Sequence, residues 1–247
     1  MCSSDLDDRA AAAPPAGRRV AIITLWRGPF PSYFRLFLES CAANRDYTWL
    51  IFSDQAAPAD APSNVRFLHL SFAEVDRRIA DALGVKTSIT RIYKSCDLKP
   101  MYGLLFADHL HGFTHWGHCD LDIIWGRLAD FLTDDLFARF PRVQESGHLA
   151  IFRNDDEASR FFMLEAPGVV TWRTVLAHED YSYYFDEWPG LNRILQHHGI
   201  PRAPVAPVAD IVAVKGRYEL YGQPNHRVQA FYWHDGRVCR EFVDETT

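Results

Sequence analysis

Asp120-Leu121-Asp122 places two carboxylates two residues apart. In an extended segment such residues point to the same side, so both acids face one way while Leu121 packs behind them. Ile123, Ile124 and Trp125 follow at once, which puts the pair at the edge of a buried element rather than in a solvated acidic loop. Two carboxylates so arranged suit Mg²⁺ or Mn²⁺, which would in turn neutralise a diphosphate. A surface pair or a helix cap explains the same triplet, because short motifs also match by chance. Upstream, Lys94, Asp97 and Lys99 stand at the entry to an expected helix. A helix start with lysines nearby suits an anion such as phosphate. Asp97 alone also reads as a plain N-cap.

A second set of groups lies further on. His148 follows Gly147, precedes an apolar run, and is a candidate to line a ligand site; a lone histidine is also a common structural residue. Asp186-Glu187 is the best second acidic pair, and a carboxylate of this kind can serve as a general base that takes a hydroxyl proton. The same two acids would equally cap a helix over 191–198. Tyr181, Tyr183, Tyr184, Phe185 and Trp188 surround them and suit either stacking on a sugar ring or a place in the core. His115, His118 and Asp120 mimic a transition-metal set, but on a strand His115 points away from the other two. No P-loop, nucleophile-elbow or dinucleotide-binding glycine pattern occurs.

These groups need a scaffold. Residues 20–26 (VAIITLW), 47–52 and 65–70 are apolar runs of strand length, as expected for strands buried on both faces. Helical spacing covers 33–43, with Ser32 as the expected N-cap. Ser71-Phe72-Ala73-Glu74 has the capping-box pattern for a helix running to about residue 83. The spacing predicts a helix over 97–110 with Pro100 in its first turn, an extended segment over 115–122, a helix over 128–140 and a strand over 147–153. Asp235-Gly236 between two alternating runs predicts a hairpin over 229–243. Strands alternating with helices at these spacings give an α/β sheet with parallel pairs in one domain, 19–247, behind a polar and Ala/Pro-rich tail over 1–18.

With 247 residues and a net charge of −6, the composition is that of a globular protein and argues against broad nucleic-acid binding. The longest clean apolar run is far too short for a membrane span, and no signal-peptide pattern opens the chain. Cys2, Cys41, Cys96, Cys119 and Cys239 are odd in number, scattered and free of any C-x-x-C pair, which reads as reduced thiols in a cytoplasmic protein.

The stretch 93–122, YKSCDLKPMYGLLFADHLHGFTHWGHCDLD, resembles the core of glycosyltransferase-like proteins of bacterial polysaccharide gene clusters, known mainly as a family of unknown function (DUF6625). A Lys-x-x-Asp-x-Lys-Pro helix followed by Trp-Gly-x-x-Asp-x-Asp is similar to the wider GT-A glycosyltransferases. The resemblance extends from residue 20 to about 243. It implies a GT-A-like mixed, mostly parallel sheet flanked by helices, a nucleotide-sugar donor, and a glycan or lipid-linked acceptor in polysaccharide biosynthesis. It implies Mn²⁺ or Mg²⁺ on Asp120 and Asp122, and donor contacts from Lys94, Asp97 and Lys99. The nucleoside would be flanked by Thr24, Trp26, Gly28 and Asp54. Many GT-A enzymes carry Arg where Lys99 stands, and lysine lacks the bidentate fork. The expected location is cytoplasmic, with peripheral association at the inner membrane open. Two other functions use the same residues: a metal-dependent phosphoester or sugar-phosphate hydrolase with His118 as third ligand, and a non-catalytic nucleotide-sugar-binding protein.

Overall fold

The computed structural model describes residues 17–243. Its centre is a six-stranded sheet of order β3-β2-β1-β4-β6-β5, made of β1 (Val20–Trp26), β2 (Tyr47–Ser53), β3 (Val65–His69), β4 (His115–Cys119), β5 (Arg142–Ser146) and β6 (Leu149–Arg153). The first four strands pair in parallel, while β6 runs antiparallel to both β4 and β5. Helices cover both faces. Ala21, Ile23, Leu50 and Phe52 face Val75 and Ile79 of α2 (Phe72–Leu83). Val20, Ile22, Trp49 and Ile51 face Phe34, Phe37 and Leu38 of α1 (Phe34–Ala42). Burial on both faces is why β1 and β2 read as unbroken apolar runs.

The chain leaves β1 through α1 to β2 and β3 on one side, then returns to place β4 on β1's other side. The direction of strand addition therefore reverses between β1 and β4. In open α/β sheets the crevice beyond the carboxyl ends at such a switch point is where ligands bind. Thr24 of β1 closes the sheet there by donating to the Cys119 carbonyl at 3.0 Å.

Several expected elements differ in detail. Ser71 caps α2 by accepting from the Glu74 N–H, as the pattern predicts, but α1 starts from Tyr33 with no side-chain cap, so Ser32 is not its N-cap. The helix expected over 97–110 is a run of short turns: a 3₁₀ turn at Ile92–Lys94, α3 (Ser95–Leu98), a 3₁₀ turn at Lys99–Met101, α4 (Tyr102–Leu105) and a last turn at Ala107–His109. Helical structure begins earlier than expected, and Pro100 stands in the first turn of the Lys99–Met101 segment, where its missing N–H is harmless. The helix expected over 128–140 shortens to a 3₁₀ turn at Leu128–Asp130 and α5 (Asp134–Arg139), and the extended segment over 115–122 ends at Cys119. The strand expected over 147–153 begins at Leu149. α6 (Trp172–Ala177) follows, and α7 (Arg193–His197) replaces the longer helix of 191–198.

Two small ribbons complete the chain: β7 (Ala209–Val212) with β8 (Arg217–Leu220), and the expected hairpin of β9 (Gln229–His234) with β10 (Arg237–Phe242). The sequence reading lacked β5, β7, β8 and α6. Arg18, assigned to the tail, belongs to the folded body: it donates to the Leu132 carbonyl at 2.9 Å and pairs with Asp134. The rest of that tail, 1–16, lies outside the described residues, as does Cys2. Cys41, Cys96, Cys119 and Cys239 are free thiols, and burial pushes Cys119 up to about 12 and Cys96 to about 11. Among the described residues no helix is long and apolar enough to cross a membrane.

Candidate functional site

Asp120 stands just past the carboxyl end of β4, beside the end of β1, at the switch point. Its backbone N–H donates to the His148 carbonyl at 3.3 Å, which extends the β4–β6 pairing by one step and sets the 147–148 turn against it. Lys99, from the turn after α3, reaches into the same place. Its ammonium lies 2.7 Å from Asp120 Oδ1, 2.8 Å from Asp186 Oδ2 and 3.0 Å from the Gly147 carbonyl. Three segments far apart in the chain are thus tied to one buried cation.

The electrostatics follow from that arrangement. Burial opposes the charge on Lys99, but Asp186 and Asp120 outweigh it and hold the ammonium's pKa above its ordinary value. Asp186, almost fully buried, is raised to about 6 by desolvation, with Lys99 offsetting part of the rise. Asp120 is desolvated too, yet hydrogen bonding from His148 and the Lys99 charge bring its carboxyl below the usual range. His148 bridges outward: Nδ1 is 3.4 Å from Asp120 Oδ2 and Nε2 is 3.4 Å from Asp210 Oδ2 on β7. Those carboxylates, Asp120 first, raise its pKa against the effect of burial.

Next to this cluster opens a cavity of about 510 Å³. His148, Glu187 and Trp188 line it, together with Gly147 and the 205–208 and 221–223 segments that flank β7 and β8. Of the expected second acidic pair, Glu187 faces this space, whereas Asp186 turns inward to Lys99.

The other expected contact residues are distributed differently. Lys94 and Asp97 do not reach the cavity wall. They form a buried ion pair at 2.9 Å; Lys94 also donates to the Val175 and Tyr181 carbonyls, and Asp97 accepts the Tyr183 and Phe185 N–H groups. Their polar atoms hold residues 181–185, the segment that leads into Asp186. Thr24 is buried against Cys119. Asp54, just after β2, accepts the Gly28 N–H at 2.9 Å and faces Arg27, while the Trp26 indole donates to the Gly28 carbonyl. Hydrogen bonds from Gln55 and then Gly28 lower Asp54's pKa. Trp26, Gly28 and Asp54 therefore shape the loop leaving β1. Asp210, which the sequence reading missed, sits in a proline-rich approach with no local motif to mark it.

Whether Asp120 and Asp122 suit a divalent cation depends on their free oxygens. Asp120 Oδ1 faces the Lys99 ammonium and Oδ2 the His148 ring, which leaves each oxygen a further lone pair, and Asp122 is exposed. Among the described residues no group of three or more His, Cys, Asp or Glu side chains is gathered to hold a metal. Mg²⁺ commonly takes one or two protein carboxylates and completes its shell with water and phosphate oxygens. Asp120 with water and phosphate oxygens fits that open kind of site and not an all-protein cage, but the chain bends at 121–122, so Asp122 does not share with it the strand face expected from the sequence. His118, the third ligand of the hydrolase alternative, is buried beside Phe152 and is not part of the cavity wall; desolvation pushes its pKa well below the ordinary histidine range.

A family model described as a family of unknown function (DUF6625) matches residues 22–247. The chain belongs to this family. No curated protein matches it. The DUF6625 match runs from within β1 through the C-terminal ribbons and so covers the site residues Asp120, Lys99, His148, Asp186 and Glu187.

Proposed function

We propose that this DUF6625 protein is a metal-dependent glycosyltransferase that moves a sugar from a nucleotide-sugar donor to a glycan or lipid-linked acceptor in polysaccharide biosynthesis. The observation that carries the reading is the position of Asp120: at the β1–β4 switch point, next to a cavity, with Asp122 exposed two residues on. The GT-A-like assignment of the fold rests on the Lys-x-x-Asp-x-Lys-Pro and Asp-x-Asp resemblance. Its setting is the cytoplasm, with peripheral contact at the inner membrane when the acceptor is lipid-linked.

In this reading Asp120 and Asp122 hold Mn²⁺ or Mg²⁺, which when bound supplies positive charge to the leaving diphosphate. Lys99 keeps Asp120 ionised and in place through its 2.7 Å contact. The acceptor hydroxyl oxygen forms a bond to the donor's anomeric carbon as the bond to the phosphate oxygen breaks. The nucleoside diphosphate leaves with that electron pair. Glu187, the carboxylate exposed to the cavity, accepts the hydroxyl proton. The loop shaped by Trp26, Gly28 and Asp54 borders the nucleoside.

A thermal-shift screen of UDP-, GDP-, CMP- and dTDP-sugars, each with and without Mn²⁺, tests the reading. A ligand that binds only the native state raises Tm by mass action. The expected result is a metal-dependent shift with one nucleotide class that Asp122→Ala abolishes while its own unliganded Tm stays unchanged, since Asp122 is exposed. Absence of any donor shift would overturn it. Release of free sugar without an acceptor would mark a hydrolase instead.

A further inference from the structure

The cavity beside Lys99 has a definite chemical character. Among the described residues its wall contains no lysine or arginine; its ionisable side chains are Glu145, His148, Glu187 and Tyr221. Glu145 is already neutralised by Arg142 and Arg202. His148 stands between two carboxylates, Asp120 and Asp210. Glu187 has no ion-pair partner among the described residues, so an anion entering the cavity would meet an uncompensated negative charge.

The same wall suits a polyhydroxyl ligand. Trp188 and Tyr221 are about half exposed, and aromatic rings pack well on an apolar sugar face. The Asn192 amide donates to the Glu145 carbonyl at 2.8 Å and so ties the 188–192 turn to the strand that carries Glu145. Gly147 makes room for the Glu187 carboxylate: a Cβ there would stand 2.6 Å from Oε1 and 2.9 Å from Cγ. The absence of a side chain at 147 thus lets Glu187 lie against the turn whose carbonyl receives Lys99.

We infer that this cavity binds an uncharged sugar and rejects uronic acids and sugar phosphates. That it is the acceptor's sugar rests on the transferase reading. Trp188 supplies the stacking face. Glu187 accepts hydrogen bonds from ring hydroxyls and repels competing anions.

The test is saturation-transfer NMR and titration of the full chain with methyl glycosides of glucose, galactose, mannose and N-acetylglucosamine, against methyl glucuronide and glucose 6-phosphate. At least one neutral glycoside should bind about tenfold or more tightly than either anion. Trp188→Ala should remove binding of the neutral sugar. Gly147→Ala, which displaces the flexible Glu187 side chain and spares the backbone, should weaken it. Glu187→Gln should narrow the gap between neutral and anionic sugars. The donor thermal shift is measured on the same variants. Loss of sugar binding in Trp188→Ala with the donor shift kept supports the inference, as does sugar binding by wild type that shows no donor shift; the second result would sink the transferase reading alone. Equal or tighter binding of the anionic sugars overturns the inference, and so does a donor shift with no glycoside bound.

Discussion

The ammonium of Lys99 lies 2.8 Å from Oδ2 of Asp186, a residue 87 positions away in the chain. Both groups are buried, and Asp120 is the cation's second carboxylate. Removing one member of a buried ion pair leaves an uncompensated charge. Lys99→Met should therefore cost about 3–5 kcal/mol of stability. Asp186→Asn keeps an acceptor for the ammonium and removes a charge that burial already disfavours, so its cost should be smaller. Urea denaturation at pH 7 measures both, and equal losses would contradict this account.

Asp97 should act as an anchor for the segment that carries Asp186. It accepts the Tyr183 and Phe185 N–H groups and the Lys94 ammonium in a fully buried position. Asp97→Ala removes the carboxylate that balances the Lys94 charge, leaving its ammonium only the Val175 and Tyr181 carbonyls, and frees the Tyr183 and Phe185 N–H groups, at a cost of about 3–5 kcal/mol. Residues 178–186 should become susceptible to limited proteolysis before the rest of the chain. Uniform resistance would show that the strap is held by other contacts.

Acid stability should be set in part by His115, buried at the start of β4 against Phe137. Desolvation lowers its pKa to about 4 in the fold. The unfolded chain, with an ordinary histidine pKa near ~6.5, then binds the proton more readily than the native state does. The stability due to neutral His115 is complete above that unfolded value and is lost as pH falls from it towards 4. By pH ~5 the loss should reach about 2 kcal/mol. His115→Phe removes this titration, so its denaturation midpoint should fall less than that of wild type between pH 7 and 5. Parallel curves would exclude His115 as the titrating group.

The parts of the fold that were legible in the sequence are those fixed locally. β1 and β2 are apolar along their whole length because helices cover both faces. The β9–β10 turn was readable because Asp235 and Gly236 both take positive φ, 46° and 76°, as a tight hairpin turn requires. Asp120 was singled out with Asp122 as an acid pair, but the bend at 121–122 takes away the extended segment that would turn both to one side. Lys99 was marked as a residue beside an anion, but its partners lie on other elements, and no local pattern records a tertiary ion pair. Lys94 and Asp97 carried the same signal as Lys99, yet they serve the interior, since only the packing decides which of two lysines one turn and a half apart meets the crevice. Asp210 and the 205–208 wall were missed for a related reason: β7 is four residues long and follows a proline-rich stretch, where neither period accumulates.

The turn that presents Glu187 and Trp188 depends on Gly190. Its backbone adopts φ −103° and ψ −113°, and a Cβ there would lie 2.3 Å from the Phe185 carbonyl oxygen and 2.6 Å from Phe185 Cα. Leu191 donates to that same carbonyl at 2.8 Å, so the backbone has no room to withdraw. Gly190→Ala should cost about 1–3 kcal/mol through overpacking, and it should shift Asp186 at the other end of the turn. Gly147→Ala offers the contrast, because its new methyl meets Glu187 side-chain atoms from Cγ outward and no backbone. Thermal melts of the two variants should separate them: Gly190→Ala lowers Tm by several degrees, while Gly147→Ala melts close to wild type. A similar loss in both would mean that the 147 turn is as rigid as the 185–190 turn and that Glu187 cannot yield.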